Sequence, residues 1–142
     1  YNRTLEMDSS FYYAHVYLGR AFLLKGDYQK ALDELQMASG LASDPRIPML
    51  QSRIYSKLGR RADALLMLDK LKGMQRERYI SNFHFAIVYA GLGDLDNAFA
   101  SLESAFKAHD GNFVYLKADP LLADLHGDPR FAELLKRLNL PE

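Results

Sequence analysis

Three heptapeptides decide how this chain folds: Gly26-Asp-Tyr-Gln-Lys-Ala31-Leu32, Gly59-Arg-Arg-Ala-Asp-Ala64-Leu65 and Gly93-Asp-Leu-Asp-Asn-Ala98-Phe99. Their glycines lie 33 and 34 residues apart, and so do their alanines. A fixed period of this length is the mark of an internal repeat. Upstream of the first copy, Tyr13, Tyr17, Leu18, Ala21 and Phe22 recur at the three-to-four spacing of an amphipathic helix. Downstream, Ala31, Leu32, Leu35 and Ala38 do the same. Glycine tolerates the left-handed conformation that closes many helices. The repeated unit is therefore predicted to be helix, tight turn, helix.

Working outward, Asp-Pro pairs at Asp44-Pro45, Asp119-Pro120 and Asp128-Pro129 read as helix starts. The carboxylate accepts first-turn amides, and proline there has no amide to leave unbonded. The last pair opens an apolar stripe of Phe131, Leu134, Leu135 and Leu138. A terminal segment of this kind covers the face that the last repeat of an array would expose.

These residues resemble the tetratricopeptide repeat family. Its Leu-Gly pair is matched by Leu18-Gly19, followed by Phe22, Tyr28, Ala31, Leu35 and Ala38. Small residues stand where the family's helices touch: Gly19, Ser52 and Ala86 opposite Ala31, Ala64 and Ala98. His15, Pro48 and Asn82 replace the family's large aromatic, and Leu71 replaces a small residue in the second repeat. The resemblance covers roughly 80% of the chain. It implies an all-α, right-handed helix-turn-helix superhelix with repeats at about 12–44, 45–78 and 79–112. Residues 1–11 would end a truncated preceding repeat, with Tyr1 and Thr4 at its aromatic and small positions. Residues 113–142 would form a capping tail with two short helices. That tail, from Phe113-Val-Tyr-Leu to Gly127-Asp-Pro-Arg-Phe, also looks like the end of repeat arms in bacterial multidomain regulators. The absence of Met at position 1 points the same way, to a piece of a longer protein.

Composition narrows the function. The 18 basic and 18 acidic side chains balance, so no overall field recruits nucleic acid or membrane. The charge is uneven, however: nine Lys/Arg against three Asp/Glu from Arg46 to Arg78, and two against six from Asp94 to Asp124. The basic residues of the first stretch sit mainly at turns and helix ends, which disfavours nucleic-acid binding. No cysteine is present, which excludes disulfides and thiolate metal sites. No apolar run has the length of a membrane span and no signal peptide is recognisable, so the expected location is cytoplasmic.

Chemistry for catalysis is not recognisable. His15, His84, His109 and His126 lack metal-pair spacing. Gly91-Leu-Gly93 has no third glycine and follows a helix, so it reads as a turn, and Asp94 and Asp96 read as charges at a helix start. No cofactor is expected, and a binding scaffold is favoured over an enzyme.

In the family, the first helix of each pair lines a concave groove. The resemblance implies that Tyr13, Tyr17, Arg20 and Leu24, then Arg46, Met49, Arg53 and Lys57, then Ile80, Phe83 and Ile87 face a partner. Arg20 and Arg53 fall at equivalent positions, and arginine suits carboxylates. The expected partner is a protein or an acidic, partly extended peptide. The family's carboxylate clamp is not matched, because Arg20 and Val16 occupy its positions. Tyr79 to Gly93 carries no Asp, Glu, Lys or Arg. That helix is expected to be buried on both faces, or to present Phe83 and its neighbours to a second copy of the chain.

Overall fold

A computed structural model describes residues 2–108, 116 and 119–137, with side chains from Tyr12 onward. Tyr1, Thr4, His109, Leu138 and the stretch Phe113-Val-Tyr lie outside the residues, or the side chains, so described. Every regular element among them is helical: α1 (Asn2–Lys25), α2 (Tyr28–Leu41), α3 (Arg46–Lys57), α4 (Arg61–Gln75), α5 (Asn82–Leu92), α6 (Leu95–Lys107), a 3-10 helix (Pro120–Leu125) and α7 (Pro129–Arg137). No described helix is long and apolar enough to cross a membrane. The chain divides into two compact units, Tyr1–Arg78 and Tyr79–Glu142.

The all-α expectation holds, and adjacent helices pack in pairs: α1 on α2, α3 on α4, α5 on α6. Each pair is closed by one turn used three times. Gly26, Gly59 and Gly93 sit at φ of 84°, 75° and 78°. Their amides donate to Leu23, Ser56 and Ala90 carbonyls at 3.1, 3.2 and 3.2 Å. The next amides, of Asp27, Arg60 and Asp94, reach back to Phe22, Tyr55 and Tyr89 at 2.8, 2.8 and 3.0 Å. This paired bonding satisfies the carbonyls that a helix end leaves open. Any other L-residue at the glycine would cost about 1–2 kcal/mol.

Beyond the turn, small residues let the two backbones converge. Ser52, Ala86, Ala31, Ala64 and Ala98 are all 0% exposed. The Ser52 hydroxyl spends its hydrogen on the Ala64 carbonyl at 3.0 Å, so its polarity is satisfied inside the contact. Gly19 passes so close to α2 that an added Cβ would lie 2.7 Å from Leu35 Cγ.

In the first unit, α1 runs unbroken from Asn2, without a turn ahead of Tyr12, because no Gly or Pro interrupts it before Gly19. The second pair fits its surroundings closely. α3 packs on α4 and also on α1 and α2, and all eight residues from Ile47 to Ile54 are buried. Pro48 is tolerated because it lies in the first turn, where amides have no intrahelical acceptor. Leu71, at a family small-residue position, is fully buried.

In the second unit the uncharged helix α5 is covered by α6 and by the 3-10 helix, and Phe83, Phe85, Ile87 and Val88 are 4% exposed or less. Leu121, Leu122 and Leu125 of the 3-10 helix are buried, as are Phe131, Leu134 and Leu135 of α7. Arg130 donates to Asp96 at 2.9 Å and Arg137 to Glu103 at 3.2 Å, each pair 34 residues apart. The same guanidiniums lie over Phe99 and Phe106, 4.5 Å from each ring centre. Two such contacts link α7 to α6. Gly127-Asp128 and Ala132 follow Gly93-Asp94 and Ala98 by 34 residues.

The Gly19 contact yields a direct test. Alanine normally stabilises a helix over glycine by about 1 kcal/mol. Here the added methyl meets a fully buried leucine, and overpacking costs typically 1–3 kcal/mol. Gly19→Ala is therefore expected to lower the urea midpoint, whereas Gly40→Ala, with nothing within 4 Å of its Cβ, should raise it or leave it unchanged.

Candidate partner-binding surface

The α1 helix has three sides, set by its 100° step per residue. Tyr12, Val16, Gly19 and Leu23 point inward and are buried. His15 and Phe22 flank α2, and His15 Nδ1 lies 2.5 Å from a Glu34 carboxylate oxygen. The third side is an arc of exposed, mostly apolar side chains. Tyr13 is 50% exposed, Tyr17 63%, Leu18 44% and Leu24 49%. Ala14 and Ala21 are exposed between them, and Arg20 is half-buried at the arc's edge. An uninterrupted apolar face of this size on a helix commonly marks an interaction site.

The residues expected to line a groove separate into two groups. Tyr13, Tyr17, Arg20 and Leu24 share the α1 arc, and Lys57 is exposed one repeat on. Met49 and Arg53 are 4% exposed, and Phe83 and Ile87 are 3% and 2% exposed. Ile80 is 1% exposed. These five are buried within their own units. The reason is packing: α3 lies among α1, α2 and α4, while α5 lies under α6 and the 3-10 helix. Arg20 and Arg53, equivalent in the repeat, thus differ in environment.

Arg46 is bonded within its own unit. Its amide donates to Asp44 Oδ1 at 2.8 Å, as the Asp-Pro pattern predicts. Its guanidinium then folds back on the same carboxylate, at 3.2 Å from Nε and 2.7 Å from Nη2. The Tyr12 hydroxyl donates to Asp44 from the first pair, and the Arg46 guanidinium stands 5.7 Å from the Tyr13 ring centre. The arginine is thus engaged in a clip joining repeats one and two. Asp128-Pro129-Arg130 builds the same fork: 2.9 Å from the amide, 3.1 Å from Nε, 2.9 Å from Nη2. The clip was legible only as an Asp-Pro-Arg tripeptide occurring twice, and the long-range partners Tyr12 and Asp96 carried no local signal.

The clip sets its own protonation. Burial first, then the Asp44 carboxylate, push the Tyr12 phenol up to about 12. Burial also works to raise Asp44, but hydrogen bonds from Arg46 and Tyr12 outweigh it and hold the carboxyl below its ordinary value. In the second unit, Arg130 holds Asp128 low and Arg137 holds Glu103 low, chiefly by hydrogen bonding. Elsewhere titratable groups are dispersed. Among the described residues no three His, Asp or Glu lie close enough to share a metal ion. His126 rests 4.5 Å from the Phe131 ring centre, and His84 lies on α5. Asp94 caps α6 by accepting the Asn97 amide at 3.2 Å, the structural task its position suggested.

Both shifts in the clip predict how stability varies with pH. A raised phenol contributes stability below its unfolded value of 10.0 that is lost as pH climbs towards 12. A lowered carboxyl contributes stability above its unfolded value of 3.8 that is lost as pH falls through the folded value. Tyr12→Phe should cost about 1 kcal/mol at pH 7 and remove the alkaline loss. Ultraviolet titration of tyrosinate should lose the component near 12, and an unchanged titration would contradict the clip.

Compared with known proteins, the chain matches no family model, no curated protein and no solved structure.

Proposed function

We propose that this chain is a tetratricopeptide-like binding module that holds an acidic, partly extended segment of a partner protein. The observation that carries the reading is the α1 arc, where Tyr13, Tyr17 and Leu24 are half-exposed or more beside Arg20. Tyrosines on a rigid helix offer large contact area at little entropic cost. An arginine at the edge of that apolar area supplies a planar fork for a carboxylate, strengthened by the low dielectric beside it. Lys57, exposed one repeat on, extends the positive side.

The burial of Met49, Arg53, Phe83 and Ile87 shortens the binding surface relative to the full groove that the family resemblance implied. Affinity then rests on a few anchors. A peptide contacting two tyrosines and one arginine is expected to bind in the micromolar range, about −7 to −8 kcal/mol. Within a larger, regulatory protein of the cell interior, such a module would recruit partners without chemistry of its own.

Selection from a random peptide library displayed on phage tests this reading. The expected result is enrichment of sequences rich in Asp and Glu with an apolar anchor. Tyr17→Ala should weaken a selected peptide by about 1–2 kcal/mol, roughly tenfold, and Arg20→Glu by at least as much. No enrichment, or an affinity unchanged from the original chain in both variants, contradicts the proposal.

A further inference from the structure

Four contacts close into a ring at the junction of the first two helix pairs. The Tyr12 hydroxyl donates to Asp44, and the Arg46 guanidinium forks onto the same carboxylate at 3.2 Å from Nε and 2.7 Å from Nη2. That guanidinium stands 5.7 Å from the Tyr13 ring centre. The Tyr13 ring in turn lies 5.1 Å from that of Tyr12, tilted by 54°. A contact near solvent is weak when it stands alone, because its partners are free to turn away. In a closed ring each contact holds the next in place. Exposure divides the ring sharply: Tyr12 is buried, whereas Tyr13 is 50% exposed.

The same fork occurs in the second unit beneath a different aromatic. Asp128 holds Arg130, whose guanidinium lies 4.5 Å from the Phe99 ring centre, but Phe99 is 7% exposed and offers nothing to a partner. There the fork serves packing alone. Tyr13 keeps half of its surface open. A preceding helix pair does not close this register position either. Arg46, the residue 33 on from Tyr13, keeps a third of its side chain exposed although α3 packs on α1 and α2.

We infer that Arg46, oriented by Asp44, is a positioning residue for the binding arc, holding the Tyr13 ring in the orientation that a partner meets. This role rests on the peptide-binding reading of α1, and adds to it a residue that acts without touching the peptide. Binding costs the freedom of each side chain that becomes ordered. A Tyr13 ring already held between a guanidinium and a second ring has little left to lose. Lysine at position 46 would keep the charge but not the hold. Its ammonium has neither a planar face for the ring nor a fork for the carboxylate.

Calorimetry with a library-selected peptide provides the test. Tyr13→Ala should weaken the peptide, and Arg46→Lys should weaken it roughly threefold to tenfold, the range set by ordering one side chain. In the Tyr13→Ala background, Arg46→Lys should have no further effect, because the ring that it holds is gone. Arg60→Lys is the control: its guanidinium lies 4.7 Å from the Tyr55 ring centre, outside the α1 arc, and affinity should not change. Nuclear magnetic resonance reads the hold without a peptide. The Tyr13 ring protons, displaced by the ring current of Tyr12, should move toward free-tyrosine values in Arg46→Lys. Unchanged affinity or unchanged Tyr13 shifts in that variant overturn the inference. So does an equal loss in the Tyr13→Ala background, which would mean that Arg46 touches the peptide itself. A chain that selects no peptide removes the binding reading and this role together. The role falls alone when Tyr17→Ala and Arg20→Glu weaken the peptide and Arg46→Lys does not.

Discussion

Where Gly19 crosses Leu35, the space between α1 and α2 is so small that a single methyl group would lie 2.7 Å from the leucine side chain. That approach, with Ser52 against the Ala64 carbonyl in the second pair and Ala86 buried in the third, fixes how each helix pair closes. Close packing adds dispersion contacts that are individually small and collectively large. It also requires a turn that reverses the chain within two residues. The left-handed glycines at positions 26, 59 and 93 meet that need, since the geometry would strain any other residue. Spacing of the glycines and spacing of the small residues are thus one constraint expressed twice.

Once the pairs are set, the first unit's second pair shows how they stack. α3 is buried at eight consecutive positions although its sequence includes Gln51, Ser52 and Arg53. Periodicity alone would have left one polar side in water. The Asp44-Arg46 fork, reached by Tyr12, fastens the junction with charge-assisted hydrogen bonds in a half-buried setting, where they are stronger than surface ion pairs. In the second unit, the rungs Asp96-Arg130 and Glu103-Arg137 hold α7 against α6 by a similar chemistry in a more exposed place. Those rungs contribute less to stability, and the apolar face of Phe131, Leu134 and Leu135 supplies most of the attachment.

The fold was legible in the sequence because its determinants are local. Gly93 followed by Asp94 and Ala98 declares a turn, a cap and a small contact within six residues. Helix starts at Asp44, Asp119 and Asp128 were equally plain, and each carboxylate accepts the amide two residues on. The surface was less legible, because exposure depends on what lies across from a residue. Arg53 and Arg20 hold one register position, yet Arg53 is buried and Arg20 only half-buried. Phe83 and Ile87 are buried for the same reason. Gly127 lacks the left-handed turn of Gly26, Gly59 and Gly93, and a short 3-10 segment precedes it.

The pairing of α1 with α2, α3 with α4 and α5 with α6 depends on three equivalent turns. Nuclear magnetic resonance can measure that equivalence directly, from the φ angles of Gly26, Gly59 and Gly93 and the hydrogen exchange of the amides after them. The account predicts positive φ at all three and similarly slow exchange at Asp27, Arg60 and Asp94. A negative φ at any of the glycines, or exchange at one of those amides as fast as in an open chain, would contradict it.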